Sequence, residues 1–83
     1  MKILYFARVR QIVGRGEERI EVPGSVATVS GLIDFLKDRD KGCAAAFADL
    51  RTVRAAVDKA HAPLEASIVG AREVAFFPPV TGG

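Results

Sequence analysis

The sequence contains few of the residues from which covalent or catalytic sites are usually built. Its 83 residues include one cysteine, one histidine and no tryptophan. A single cysteine excludes an intrachain disulfide bond, and any catalytic set that pairs a nucleophile with an imidazole base would have to use His61. Because Cys43 lies in an alanine-rich segment and His61 in a predicted loop, we expect a half-buried structural thiol and a surface histidine. No cluster of His, Cys or carboxylate residues predicts a metal site.

Long apolar runs are missing as well. The run at residues 3–7 is too short for a signal peptide, and no run approaches the roughly 20 residues of a membrane helix. The twelve Lys and Arg and the ten Asp and Glu give a net charge of +2, and the two signs interleave along the chain. Such a mixed surface is not typical of nucleic-acid binding, although Arg8, Arg10 and Arg15 form one small basic group. We therefore expect a cytoplasmic protein that binds neither membranes nor nucleic acid.

The first third of the chain predicts a β-hairpin. Residues 2–7 are rich in aromatic and branched side chains and apolar on both faces, which indicates a central strand. Residues 17–22 alternate, with Glu18, Ile20 and Val22 on one face. Gly14-Arg15-Gly16 predicts the turn of a long connecting loop.

The middle of the chain predicts one main helix. Thr28 is a plausible N-cap, and the apolar stripe that follows it has the i, i+3, i+4, i+7 spacing of an amphipathic helix. The members of this stripe are Val29, Leu32, Ile33 and Leu36. Gly42 is the predicted end of the helix, and residues 43–50 have the composition of a short second helix.

The remaining residues predict a strand at 53–57, a loop with room for one short strand at 61–70, and a last strand at 73–77. One helix crossing a small mixed sheet with a right-handed connection brings the first and last strands together in parallel. This is the β-grasp arrangement of ubiquitin, an α+β fold with four to five strands, and we prefer it to a ferredoxin-like sandwich, which needs two long helices. The predicted division is a domain at residues 1–77 and an extended functional tail at residues 78–83.

The composition of the tail indicates a functional segment. Pro78 and Pro79 hold the backbone extended and cannot continue a sheet ladder. Six residues from Pro78 onward reach roughly 20 Å, and they are Pro78, Pro79, Val80, Thr81, Gly82 and Gly83. Because Gly82 and Gly83 have no Cβ, a partner can close tightly around the last peptide units. The terminal carboxylate is then a candidate acyl group, open to adenylation and to nucleophilic attack.

The same ending resembles that of one known family, the small subunits of molybdopterin synthase. The similarity is carried by Glu73-Val74-Ala75-Phe76-Phe77-Pro78-Pro79-Val80-Thr81-Gly82-Gly83, by residues 4–14 at the start and by Ala55-Ala56-Val57 in the middle. The chain departs from the family at Asp58, where Asn is common, and at residues 69–72, where an acidic turn is common.

The resemblance implies a non-catalytic sulfur carrier. Gly83 would be adenylated with ATP by a separate activating enzyme, converted to a thiocarboxylate by a sulfur donor, and threaded into the large subunit of the synthase. There it would donate sulfur to cyclic pyranopterin monophosphate during molybdenum cofactor biosynthesis, in a heterotetramer with two carriers. The carrier itself would bind no cofactor, and the catalytic side chains would lie in the large subunit.

Three other functions stay open at this point: a sulfur carrier for thiamine or cysteine synthesis, a ubiquitin-like modifier conjugated through Gly83, and a plain β-grasp binding module. For any partner that engulfs the tail, strand alternation predicts a docking surface on one face of the sheet. This face carries Leu4, Phe6, Ala75 and Phe77, and the predicted partner anchors are Phe6 and Phe77 together with the tail residues 78–81. The alternative is that residues 43–50 cover this face.

Overall fold

The computed structural model describes residues 1–79, which fold into one sheet with helices on one side. Two short strands and a helix come first: β1 (Lys2–Tyr5), α1 (Ala7–Val13) and β2 (Glu17–Arg19). Two helices follow, α2 (Val29–Arg39) and α3 (Lys41–Ala46), and then a 3₁₀ turn at Leu50–Thr52. The chain continues with β3 (Arg54–Val57), β4 (Ala60–Ala62) and β5 (Glu73–Phe77).

The sheet has the strand order β2-β1-β5-β3-β4. β1 and β5 are parallel, with Ile3 opposite Val74 and Tyr5 opposite Phe76, while the other three pairings are antiparallel. Parallel first and last strands at the centre confirm the predicted β-grasp arrangement over the ferredoxin-like alternative.

The main helix forms where the apolar spacing predicted it. The Thr28 hydroxyl accepts a hydrogen bond from the Gly31 amide at 3.0 Å, which satisfies one of the free amides at the start of α2. The predicted stripe is fully buried against the sheet, as its members Val29, Leu32, Ile33 and Leu36 show. Ile3, Tyr5, Val74 and Phe76 of the two central strands supply the opposing side of this core.

The predicted first hairpin is wrong in its connection. Between β1 and β2 the chain forms α1, which buries Val9 and Val13 at i, i+4 spacing and ends at Gly14, whose φ of 93° suits a residue without a Cβ. The predicted turn at Gly14 is confirmed, but the helix before it, with Val9 and Val13 at helical spacing, was missed. β2 is also shorter than residues 17–22: its register with β1 ends at Arg19, and beyond it only Ile20 exchanges backbone hydrogen bonds, with Met1 at 2.8 and 3.0 Å.

The predicted end of the main helix at Gly42 is wrong too. α2 ends at Arg39, and Asp40, with an extended backbone, separates it from α3 and caps α3 by accepting from the Gly42 amide at 3.1 Å. Gly42 has a different role: a Cβ there would lie 2.7 Å from the Val13 carbonyl oxygen. Glycine therefore allows α3 to pack against the end of α1. α3 is the short second helix that was predicted within residues 43–50, and it begins two residues earlier, at Lys41.

Candidate functional site

The last strand delivers the tail from the middle of the sheet. β5 lies between β1 and β3, and its central residues Val74, Ala75 and Phe76 are buried. It ends at Phe77, as predicted, because Pro78 has no amide hydrogen to continue the ladder. Because β5 is paired on both sides, the point from which the tail leaves the domain is fixed by the sheet.

The residues predicted to carry the chemistry, Gly82 and Gly83, lie outside the described residues, and so do the predicted partner-binding residues Val80 and Thr81. Pro78 and Pro79 are described and are half-buried, with no strand assignment. The division into a domain at 1–77 and a tail at 78–83 therefore stays a prediction, as do the roles of Gly82 and Gly83.

Phe6 lies beside the root of the tail. Its amide donates to the Phe76 carbonyl at 3.0 Å, which continues the parallel pairing one residue beyond β1. The next residue, Ala7, takes a φ of 51°, a left-handed conformation that is unfavourable for a residue with a Cβ. This sharp change of direction into α1 leaves the Phe6 side chain 47% exposed, so it is available to a partner.

Within residues 1–79, no helix covers the face of the sheet opposite α2 and α3, called the open face below. α3 packs with α1 and α2, and Phe47 at its end meets Phe76 edge-on at 4.9 Å between ring centroids. Phe76 faces the helices, so this segment does not cover the opposite face, and the alternative stated above is wrong.

The open face is less apolar than predicted. Leu4 and Phe77 are half-buried, and Ala75 is only 7% exposed. The Phe77 ring packs against the His61 ring at 5.1 Å between centroids. His61 is an exposed surface residue, as predicted, and this packing gives it a place at the root of the tail.

Asp58 stands where asparagine is common in the family that the sequence resembles, and the structure shows that its side chain binds the backbone at the start of β5. It occupies a left-handed position (φ 48°) in the turn between β3 and β4. One carboxylate oxygen accepts hydrogen bonds from the Arg72 amide at 2.9 Å and the Glu73 amide at 3.0 Å. These bonds hold the pKa of Asp58 below its ordinary value, and the bond from the Glu73 amide has the largest effect. An asparagine oxygen accepts the same bonds and tolerates the same backbone, so the departure preserves the start of β5.

Cys43 is a structural residue in a polar network. Its side chain is fully buried, more so than predicted, and its sulfur lies 3.6 Å from the Tyr5 hydroxyl and 3.4 Å from an Asp40 carboxylate oxygen. Burial raises the pKa of the thiol. A buried, protonated thiol is a poor nucleophile, which argues against covalent chemistry at Cys43.

The rest of this network joins three elements at one edge of the domain. Arg15 donates to Glu18 at 2.7 Å and also reaches Asp40, and the Tyr5 hydroxyl donates to the same Glu18 oxygen at 2.7 Å. Burial opposes ionisation of Glu18, but the bonds from Arg15 and Tyr5 outweigh it and lower the pKa of this carboxylate. Sequence reasoning missed this set, because the fold brings two local pairs, Arg15 with Glu18 and Asp40 with Cys43, together from distant parts of the chain.

Within residues 1–79 the side chains form no arrangement that suits catalysis. An apolar cavity of about 230 Å³ lies between α2 and β4, and Arg54 is the only charged residue among those lining it. Across residues 1–79 no group of three or more His, Cys, Asp or Glu side chains could hold a metal ion. No helix in this part of the chain is long and apolar enough to cross a membrane. The tail therefore remains the candidate functional element.

Arg54 is a further residue near the tail that sequence reasoning did not single out. It begins β3, is exposed, and lies directly opposite Phe77 in the antiparallel β3–β5 pairing. The only signal in the sequence was its place next to the strand Ala55-Ala56-Val57, and the strand pairing that gives it meaning was needed to find it.

Known proteins resemble the chain along its whole length. The molybdopterin synthase sulfur carrier subunit of Escherichia coli is 36% identical over 83 residues, which are 100% of this chain and 99% of that protein. A solved structure from Pyrococcus furiosus, provisionally assigned there as molybdopterin converting factor subunit 1, is 32% identical, with a TM-score of 0.70 and 95% of each chain covered.

A more distant structure has the same fold. The crystal structure of SAMP1 from Haloferax volcanii has a TM-score of 0.70 at 23% identity and covers 99% of this chain and 97% of its own. At this identity the likeness concerns the fold alone. The match that assigns the chain is to the ThiS family, and it spans residues 3–83, from β1 to the final glycine. The chain therefore belongs to the ThiS family.

Proposed function

We propose that this chain is the sulfur-carrier subunit of a molybdopterin synthase. The observation that carries the proposal is the full-length similarity to a protein of that name, combined with a Gly-Gly ending that follows the central strand β5. A carrier needs a rigid body that partners can grip and a narrow terminus that they can enclose. The fold supplies the first, and the sequence after Phe77 has the composition of the second.

The chemistry would take place at the carboxylate of Gly83 on other proteins. An activating enzyme would join this carboxylate to the α-phosphate of ATP and release pyrophosphate. A sulfur donor at the oxidation level of sulfide would then displace AMP and leave a thiocarboxylate. A thiocarboxylate is ionised at neutral pH and is a stronger nucleophile than a carboxylate, so it can attack a carbon of cyclic pyranopterin monophosphate.

The partners follow from these steps. The large subunit of the synthase would receive the tail and provide the catalytic side chains, while this chain acts as a co-substrate. Hydrolysis of the acyl–sulfur bond would return Gly83 to a carboxylate, ready for another round. A product with two sulfurs would need two loaded carriers, which supports a heterotetramer with two copies of this chain.

The gripping surface would be the open sheet face with Phe6 and Phe77 at the root of the tail. Both side chains retain exposed area, and aromatic residues beside a buried segment are typical anchors of protein interfaces. Residues 78–81 would then lie between these anchors and the reacting carboxylate.

Reconstitution tests the proposal. The purified chain, an activating enzyme, ATP and a sulfide source are combined, and the loaded carrier is then given to a large subunit with cyclic pyranopterin monophosphate. We expect molybdopterin with the wild-type chain and none with a variant lacking Gly83, although both should melt at the same temperature. Product formation by the truncated chain would overturn the carrier function. Isopeptide adducts on lysines of other proteins would instead support the modifier alternative.

A further inference from the structure

Arg54 is held in place beside the root of the tail. Residues directly opposite each other in an antiparallel pair point to the same side of the sheet, so Arg54 shares the open face with Phe77. One guanidinium nitrogen donates to the Val53 carbonyl at 3.0 Å and to the Arg51 carbonyl at 3.4 Å. These bonds restrict the side chain before any partner binds, which reduces the entropy lost on binding.

The charge of Arg54 is not neutralised by the described part of the chain. Within residues 1–79 the ion pairs with N···O distances up to 4.0 Å use other cations, and the neighbouring Arg51 is already paired with Asp49 at 3.0 Å. The guanidinium has five N–H donors, and its two bonds to carbonyl oxygens leave most of them free. Arg54 is therefore an exposed, oriented cation with donors available to an outside acceptor.

The surroundings of Arg54 are those of an interface rather than of a solvated surface. Phe77 lies directly opposite Arg54 and its ring packs against the His61 ring, while Ala56 and Ala75 on the same face are only 8% and 7% exposed. An arginine beside aromatic rings is the composition found at the energetic centre of protein interfaces. A partner that covers Phe77 must also remove water from Arg54, and doing so without supplying an opposite charge is costly.

Two acceptors could supply that charge: a phosphate of the activated terminus or a carboxylate of the receiving protein. Arg54 is level with Phe77, six residues before Gly83. A tail enclosed by a partner in extended form places the terminal acyl group up to roughly 20 Å away, and this is beyond the reach of an arginine. The acceptor at the root of the tail is thus a carboxylate on the partner, which a guanidinium binds in bidentate fashion.

We propose that Arg54 is a specificity-determining residue for the large subunit of the synthase, paired in the complex with an Asp or Glu at the rim of the channel that receives the tail. This inference rests on the proposed function, since it names the contact that selects the partner.

The test measures binding of the large subunit to Arg54→Ala, Arg54→Lys and Arg54→Glu by calorimetric titration. We expect Arg54→Glu to weaken binding by about tenfold or more, with Arg54→Ala intermediate and Arg54→Lys retaining part of the affinity. The loss caused by Arg54→Glu should shrink in about 1 M salt, where charges are screened within about 3 Å. A matched control is Lys41→Glu, which makes the same change of net charge at an exposed position of α3, in the helical layer; its affinity should be that of the wild type.

A second arm identifies the acceptor. Single Asp→Lys and Glu→Lys changes at the channel rim of the large subunit are tested against Arg54→Glu, and we expect one of them to restore binding. Equal affinity of wild type, Arg54→Glu and Lys41→Glu, or equal losses for the two glutamate variants, would overturn the inference. Failure of the wild-type chain to bind the large subunit at all would instead overturn the proposed function, so the two failures are distinguishable.

Discussion

Replacing Phe6 or Phe76 by alanine separates the stability of the fold from binding to the large subunit. Phe6 is 47% exposed, while Phe76 is fully buried between Tyr5 and Phe47. Full burial of such a side chain contributes about 1.5–3 kcal/mol, so Phe6→Ala should cost the fold about 1 kcal/mol. Phe76→Ala leaves a cavity as well and should cost about 3–5 kcal/mol, a large part of the ~4–12 kcal/mol available to a domain of this length.

Phe6→Ala should weaken binding strongly although it costs the fold little. If Phe6 anchors the large subunit, its truncation should remove about 2 kcal/mol of binding free energy, which is roughly a 30-fold rise in Kd. Urea denaturation followed by circular dichroism gives the stability, and calorimetric titration gives the affinity. The control is Ile12→Ala, because Ile12 is also a large apolar residue, 38% exposed, but at the far end of α1.

Three results would refute this reasoning. Phe6→Ala could leave the affinity unchanged, Ile12→Ala could weaken binding as much as Phe6→Ala, or Phe6→Ala could unfold the domain as Phe76→Ala does. The first two would remove Phe6 from the interface, and the third would place it in the core.

Three further predictions concern glycines and an acid. Gly42→Ala should destabilise the domain by about 1–3 kcal/mol in urea titrations, because the new Cβ would lie 2.7 Å from the Val13 carbonyl oxygen; Gly24→Ala, with nothing within 4 Å of its Cβ, should be near neutral, and equal effects would contradict the close approach. The pKa of Asp58 is lowered in the folded chain, first by the Glu73 amide, so the contribution of the ionised carboxylate is present at neutral pH and lost as pH falls below about 4; thermal melts should show Asp58→Asn less stable than wild type at pH 7, with the difference shrinking in acid, and parallel curves would refute this. Gly82→Val should slow adenylation or sulfur transfer in separate assays without lowering the melting temperature, and unchanged rates would mean that no tight channel surrounds the terminus.

Much of the fold could be predicted from the sequence because its strongest signals are local. The stripe from Val29 to Leu36 has helical spacing and a capping residue, and the alternation in residues 73–77 fixes which side chains of β5 face the helices. The parallel pairing of β1 and β5 followed from the handedness of the crossover, whereas their register was an assumption that the structure confirms. The helix stripe and the strand alternation depend on neighbours in the chain, which a sequence displays directly, and the strand pairing needed a general rule of topology in addition.

The errors came from features that depend on tertiary packing. α1 is only seven residues long, too short to be stable alone, and it forms because Val9 and Val13 are buried against the sheet. The end of α2 depends on Asp40 capping the next helix, whereas a glycine two residues later looked like a stop. The close approach that requires Gly42 is visible only in three dimensions.

In the candidate site, too, the local features could be predicted from the sequence and the features that depend on tertiary structure could not. The composition of the tail pointed to its role without any structure, since glycines and prolines act through the backbone. Arg54 and His61 gained their positions beside Phe77 from the β3–β5 and β3–β4 pairings together, and these two residues precede Phe77 in the chain by 23 and 16 positions.

The central claim, that the terminal glycine carries sulfur, is tested most directly by intact mass. The chain is incubated with an activating enzyme, ATP and a sulfide source, and its mass is then measured before and after addition of the large subunit with cyclic pyranopterin monophosphate. The account predicts the increment of one sulfur replacing one oxygen, absent from a variant that lacks Gly83 and lost again when the substrate is consumed. A wild-type mass that never changes, or an increment that persists in the variant without Gly83, would contradict it.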